Sequence, residues 1–360
     1  MIYLTDFHSI RPPYESTQQK TLDWLIEAHA EAERKKSGTS DPAFKESIRE
    51  RLCHVGCKPD NIATRGHVVE DYLHLDWARM EIPFSTLDVR MKLFAKCADE
   101  TFQAFYQSCC APDDLIHTTC TGYLAPSAAQ KLISEKNWHT TTVTHAYHMG
   151  CYGALPAIRM AKGFLVSDPA KKRADIVHTE MCTLHVNPNL HRLDALVSQS
   201  LFSDGFIKYS VKTEKPSLGF QLISVKEEII PDSTKAMTWN IADWGFEMSL
   251  AKEVPVLIAR RLPNFVQEFG DPQNAIFAVH PGGPKILTNI QKILDLRSDQ
   301  MRHSVDILRR FGNMSSATLP HIWQAVADDP SVPPGTPVIS LAFGPGLTLS
   351  GLKLVKVCGK

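Results

Sequence analysis

Apolar positions recur with two periods along the chain and divide it into helices and strands. Over 17–35, TQQKTLDWLIEAHAEAERK puts Leu22, Leu25 and Ile26 on one side and charges elsewhere, with no Gly or Pro, which predicts an amphipathic helix. The stretch 43–53 (AFKESIRERLC) reads the same way. Residues 88–110 predict a longer helix, with Leu93, Ala98, Phe102 and Phe105 near helical spacing. LIHTTCTGY (115–123) predicts a short strand entering a loop, and the β-branched WHTTTVTHAYHMG (138–150) predicts a second strand. ADIVHTEMCTLHV (174–186) and FIKYSVK (206–212) read as buried strands, with LGFQLISVKEEII (218–230) as an antiparallel neighbour.

The remainder alternates in the same manner. A helical stretch over 246–270 precedes NAIFAVHPGG (274–283), a strand ending in a glycine-rich turn. Then come a helix over 284–294, a loop flanked by helices over 303–326, and two strands around a glycine turn over 336–357. Each half holds a strand, a turn carrying a polar residue, and a helix, which predicts α/β layering around a buried mixed sheet. A chain of 360 residues is long enough for two such units, expected at 1–230 and 231–360.

Composition narrows the function. Hydrophobic residues make up 43% and charged residues 22%, enough for a large core without staples. The 39 basic and 39 acidic residues cancel, which argues against a general nucleic-acid binder. MIYLTDFHSIRPP lacks the pattern of a secretory signal, and no apolar run approaches the ~18 residues of a membrane span. A cytoplasmic chain without membrane insertion is expected. Nine cysteines, an odd number, then imply free thiols. CHVGC (53–57) and Cys109–Cys110 have no second pair at zinc-site spacing, so no metal is expected.

The candidate chemistry lies at three turns. In HMGCYGALPAI (148–158), Cys151 precedes Ala154, Ile158, Ala161 and Leu165, a helical face. Pro156 is tolerable only in a first turn, so that helix starts close behind Cys151, where helix-end N–H groups favour a thiolate. His280 ends an apolar strand before Pro-Gly-Gly, and Asn313 sits in the small-residue loop GNMSSAT. A thiol, an imidazole and an amide suffice for acyl transfer: a nucleophile, a base, and donors for an oxyanion. Papain-like proteolysis uses the same residue order, but its CG[SA]C[WY] signature is absent and residue 151 lies far from a mature N-terminus.

GCYGALPAIRMAK (150–162), LFSDG (201–205), HPGGPKIL (280–287), GNMSSAT (312–318) and FGPGLT (343–348) resemble the type III polyketide synthases, the chalcone-synthase-like branch of the thiolase superfamily. CTGYLAPSAAQ (120–130) is similar to bacterial members. The resemblance implies a five-layered αβαβα thiolase fold of two similar halves, and a homodimer. It implies that Cys151 carries the starter acyl group and that His280 helps keep it ionised. His280 and Asn313 would hold the extender's thioester carbonyl during decarboxylation. Phe202 and Phe246 match the family's two gatekeeper phenylalanines. Cys120, Cys182, His185, Met237 and Ser315 would line the tunnel or cavity, with Cys182 and His185 where plant members carry hydroxyl residues. Arg65 and Lys58 would serve the mouth for CoA or phosphopantetheine. No bound cofactor is implied; the substrates are acyl and malonyl thioesters on CoA. With so few cations at the mouth, an acyl carrier protein is the alternative donor, in an enzyme that joins two β-keto chains into an α-pyrone. A catalytically silent scaffold of the same fold is a third reading, opposed by the intact Cys151, His280 and Asn313.

Overall fold

A computed structural model of the protein describes residues 1–358. The first part of the chain forms β1 (Tyr3–Ile10), β2 (Tyr14–Thr17), α1 (Gln18–Ser37), α2 (Pro42–Val55), β3 (Thr64–His67) and α3 (Leu87–Phe105). There follow β4 (Asp114–Thr119), α4 (Ala128–Lys136), β5 (Thr142–Tyr147), α5 (Ala154–Ser167), β6 (Arg173–Met181), α6 (Leu193–Leu201) and β7 (Asp204–Lys212). Next are β8 (Leu218–Ile229), β9 (Met237–Ala242), β10 (Gly245–Leu250), α7 (Val254–Gln267) and β11 (Ile276–Val279). The chain ends with α8 (Pro284–Ile293), α9 (Arg302–Phe311), α10 (Thr318–Asp328), β12 (Pro337–Gly344) and β13 (Thr348–Cys358).

Local chemistry sets the helix ends. The Thr17 side chain accepts the Lys20 N–H at the start of α1, and Gly38 closes it in the left-handed region at φ 80°. Asp41 caps α2 ahead of Pro42. Ser127 and Gln130 form a reciprocal capping box on α4, a helix the apolar pattern alone does not reveal.

Nine strands join in the order β11-β12-β13-β8-β1-β7-β6-β4-β5. The order holds a repeat. In β4-β6-β7-β1 the neighbours pair parallel, antiparallel and antiparallel; β11-β12-β13-β8 does the same. Only Tyr3↔Gln221 and Leu4↔Phe220 join β1 to β8, so the two four-strand motifs meet at a narrow seam. Alternation then separates the faces. Ile116, Ile176, Ile276 and Ala278 point into a central core with α5 and α10. Leu115 and Val177 face an outer cluster with α1 and α3, and Phe277 and Val279 face another with α7 and α8. Helix, sheet, helix, sheet and helix are therefore stacked, as the αβαβα expectation requires.

Four sequence readings are corrected. β8 does not lie beside β7, because the N-terminal strand β1 pairs between them. The helix expected over 246–270 begins at Val254; its first residues are recruited into β10, where Gly245–Leu250 pair with β9 across a short turn. The helix expected over 88–110 ends at Phe105, before the two cysteines. The strand expected over 174–186 ends at Met181, and Cys182–His185 form a single 3-10 turn. Among the described residues no helix is long and apolar enough to cross a membrane.

Candidate functional site

Cys151 stands in the turn between β5 and α5. Gly150 makes that turn at φ 79°, and a Cβ there would meet Pro345 Cδ at 2.4 Å. Both facts require glycine. α5 starts at Ala154 with Pro156 in its first turn, as the proline demands. Cys120, just beyond β4, grips the turn from the other side. The Gly150 N–H donates to Cys120 Sγ (3.0 Å), and the Cys120 thiol donates to the Gly150 carbonyl (3.2 Å).

Cys151 lies on the wall of a partly enclosed chamber lined mostly by apolar surface, the kind of concave site that takes small molecules. Cys120, Cys182, Met237 and Ser315 share that wall, as do Phe202 and Phe246. His185 is there too, but as a strut. Its ring stacks on Phe246 at 4.3 Å and 8°. Its Nδ1 accepts the Phe246 N–H (3.0 Å) and its Nε2 donates to the Thr121 carbonyl (2.8 Å). Both nitrogens are thus occupied, and burial pushes the imidazole down to about 3.

Asn313 and His280 are buried, each 1% exposed, and neither belongs to the chamber wall. Asn313 is held between two residues that do. Its N–H donates to the Leu201 carbonyl (3.1 Å) and its carbonyl accepts the Ser203 N–H (2.9 Å), bracketing Phe202. Asn313 Oδ1 accepts the Ser315 N–H (2.8 Å). That bond fixes the amide's orientation and leaves Nδ2 as the group free to donate outward. His280 closes β11 by donating its N–H to the Leu341 carbonyl (2.8 Å). Both His280 ring nitrogens are buried without a hydrogen-bond partner. Burial pushes its imidazole down to about 3, so the ring is neutral and one nitrogen is a donor.

Burial also decides the state of Cys151. It pushes the thiol up to about 12; the neighbouring Ser315 hydroxyl works the other way, and the Glu180 carboxyl adds to the rise. Burial thus opposes the thiolate expected from the helix end. Desolvation outweighs a partial dipole charge one turn away, and no hydrogen bond joins Cys151 to His280 among the described residues.

The mouth also differs from expectation. Arg65 is 1% exposed and does not reach the surface. Its Nη1 donates to the Gln199 and Phe202 carbonyls (both 2.8 Å), capping the C-terminal end of α6. The cation thus lines the buried part of the chamber and holds the Phe202 carbonyl, while its Nε and Nη2 are buried without a hydrogen-bond partner. Lys58 is exposed and lies off the wall.

Two wall-building residues escape sequence reasoning. Glu180 is fully buried and accepts the Cys120 N–H (3.0 Å), the Thr121 hydroxyl (3.2 Å) and the Ser316 N–H (3.2 Å). It ties the Asn313 loop to the Cys120 loop. Its signal was available: a carboxylate in a strand read as buried needs several partners. Trp239 donates its indole N–H to the Cys120 carbonyl (2.6 Å); nothing in the one-dimensional pattern marks it. Among the described residues no group of three or more His, Cys, Asp or Glu is arranged to hold a metal ion.

Comparison with known proteins places this geometry. Residues 221–358 match the C-terminal domain of chalcone and stilbene synthases. Over 259 residues the chain is 29% identical to "Probable polyketide synthase 1" of Dictyostelium discoideum, covering 68% of this chain and 8% of that protein. The chain thus spans a small part of that relative's length. Among solved structures, the C-terminal type III polyketide synthase domain of Steely1, a type I/III hybrid from Dictyostelium, superposes with a TM-score of 0.85 at 23% identity, over 99% of both chains. The 1,3,6,8-tetrahydroxynaphthalene synthase of Streptomyces coelicolor, a bacterial type III polyketide synthase, gives 0.82 at 24% identity, over 99% of this chain and 100% of that one.

Proposed function

We propose that this chain, which has the fold of the type III polyketide synthases, is itself a condensing enzyme that builds a ketide chain on Cys151. The observation that carries the reading is the position of Cys151: a buried thiol at the head of a helix, on the wall of a partly enclosed chamber. The Cys151 sulfur attacks an acyl-CoA thioester, and its proton passes to the departing CoA sulfur as the C–S bond forms. CoA departs as the thiol. A malonyl thioester then loses CO2, and the enolate oxygen is assigned to the Asn313 amide N–H and a His280 ring N–H, two buried donors off the chamber wall that the bound thioester has to reach. The enolate carbon attacks the acyl-Cys151 carbonyl, extends the chain by two carbons and expels Cys151 as the thiolate, which takes a proton from solvent water. Two neutral donors suit the carbonyl oxygen as charge gathers on it. A cation at that site would also hold the carboxylate and oppose its loss.

Cyclisation of the extended chain to a pyrone or resorcinol ring follows in this reading. We place Phe202 and Phe246 at the neck of the chamber, and Lys58 at its mouth as a phosphate contact. Delivery by an acyl carrier protein is the alternative, and the experiment decides it. The second half is taken to begin at β8, the counterpart of β1, ahead of the boundary expected near residue 230. A homodimer through β5 fits the sheet. β5 is an edge strand with no Lys or Pro to blunt it, and its outer backbone groups are open to a second copy. A cytoplasmic location is part of the same reading.

The test is acylation of Cys151, followed by intact mass after separate incubation with acyl-CoA, acyl-carrier protein and malonyl-CoA. Acylation from acyl-CoA, abolished in Cys151→Ala, is expected. Acylation from the carrier alone would replace CoA by the carrier; condensation by Cys151→Ala would overturn the mechanism. Asn313→Ala should still accept the starter but decarboxylate the malonyl thioester about a hundredfold more slowly, the scale of losing one oxyanion donor.

A further inference from the structure

β9 and β10 form a hairpin outside the nine-stranded sheet, and it carries Met237, Trp239 and Phe246 of the chamber wall. On its far side it is tied by Arg192 to Glu247 (2.7 Å) and by the Leu87 N–H to the Asp243 carbonyl (3.0 Å). On its near side it meets the Cys151 turn through the His148 side chain. His148 Nε2 lies 2.9 Å from the Trp239 carbonyl. A carbonyl only accepts, so Nε2 carries the hydrogen.

His148 adopts φ 60°, a left-handed conformation uncommon for a non-glycine residue, though histidine enters it more readily than most. Such a conformation persists only where its surroundings over-determine it. The surroundings here are the Trp239 carbonyl and two aromatic faces: Tyr123 at 5.3 Å and Phe246 at 5.6 Å from the imidazole. The bonds also close a circuit. Trp239 receives His148 at its carbonyl and gives its indole N–H to the Cys120 carbonyl; Cys120 Sγ holds Gly150, two residues after His148. Cys151 comes next in the chain.

We propose that His148 is a positioning residue that latches the chamber-wall hairpin to the nucleophile turn, so that the chamber keeps its shape while a chain grows on Cys151. The latch does not touch the reacting atoms. Its consequence for product length rests on the function proposed above; its mechanical part does not.

His148→Gly is the informative variant, because glycine adopts φ 60° without strain and so removes the latch without burdening the fold. Backbone amide exchange over residues 237–250 should rise about tenfold or more, while iodoacetamide still modifies Cys151 at the wild-type rate. The spread of product chain lengths should broaden. Trp239→Phe, which removes the indole donor, should also loosen the hairpin, and the double variant should add little, as for two members of one network. His148→Gln keeps a donor of similar reach and should restore protection. Wild-type protection in His148→Gly would overturn the latch. A Gln variant as loose as the Gly variant would overturn its hydrogen-bond basis. If the wild-type protein forms no condensation product from any thioester while His148→Gly still loosens the hairpin, the function fails and the latch stands.

Discussion

At the residue scale, the decisive quantity is the desolvation of Cys151 and His280. Each is held in its uncharged form, the thiol near 12 and the imidazole near 3. Alkylation by iodoacetamide needs the thiolate, whose fraction rises tenfold per pH unit below the thiol's pKa. Inactivation should therefore accelerate with slope one from pH 6 to pH 10, with no plateau. A plateau near pH 6 to 7 would mean that a thiolate–imidazolium pair exists at rest, contrary to the burial argument. Sequence made the identities of these residues legible, since Cys151, His280 and Asn313 each sit in a turn of small residues. It did not make their ionisation legible. The helix end behind Cys151 is a local feature, whereas burial is set by the packing of the whole chain, and the Ser315 and Glu180 groups that also act on the thiol lie far away in sequence. The inward turn of Arg65 was hidden in the same way. Its motif was readable, but the carbonyls of α6 that turn it inward are about 135 residues away.

At the scale of elements, the turn that presents Cys151 depends on backbone freedom at one position. Gly150→Ala adds a Cβ 2.4 Å from Pro345 Cδ at φ 79°. It should lose roughly 1–3 kcal/mol in stability and most of the Cys151 acylation. Gly163, within α5, has nothing within 4 Å of such a Cβ. Gly163→Ala should therefore raise stability by up to about 1 kcal/mol and leave acylation unchanged. Urea midpoints and intact-mass acylation of the two variants test the pair; equal loss in both would show that α5, not the turn, is the sensitive element. The contrast also explains what the periodicity could convey. α5 was legible because its apolar face and Pro156 are local. β10 was not, because its helix-prone FEMSL becomes a strand only through the six pairs it makes with β9.

At the scale of the whole molecule, the interior is rich in uncharged imidazoles. Burial holds His29, His67, His117 and His178 below their usual range, and likewise His185, His280 and His321. In the unfolded chain these seven titrate near 6.5. Below that pH the unfolded state binds protons the folded state refuses, so stability falls as pH falls. Each such proton contributes about 1.4 kcal/mol per pH unit. Four carboxyls, Asp71, Asp175, Glu180 and Asp204, are raised by burial and act in the opposite sense. They are folded-state acids that stay protonated after their unfolded counterparts ionise, Asp204 up to about 7. Seven groups against four leaves a net proton uptake on unfolding between pH 6.5 and 5. The urea midpoint should drop steadily over that interval, and His178→Gln, which removes one neutral ring, should flatten the slope by about one proton. A midpoint that rose toward pH 5 would show that the buried carboxyls, not the imidazoles, govern the acid side of this fold.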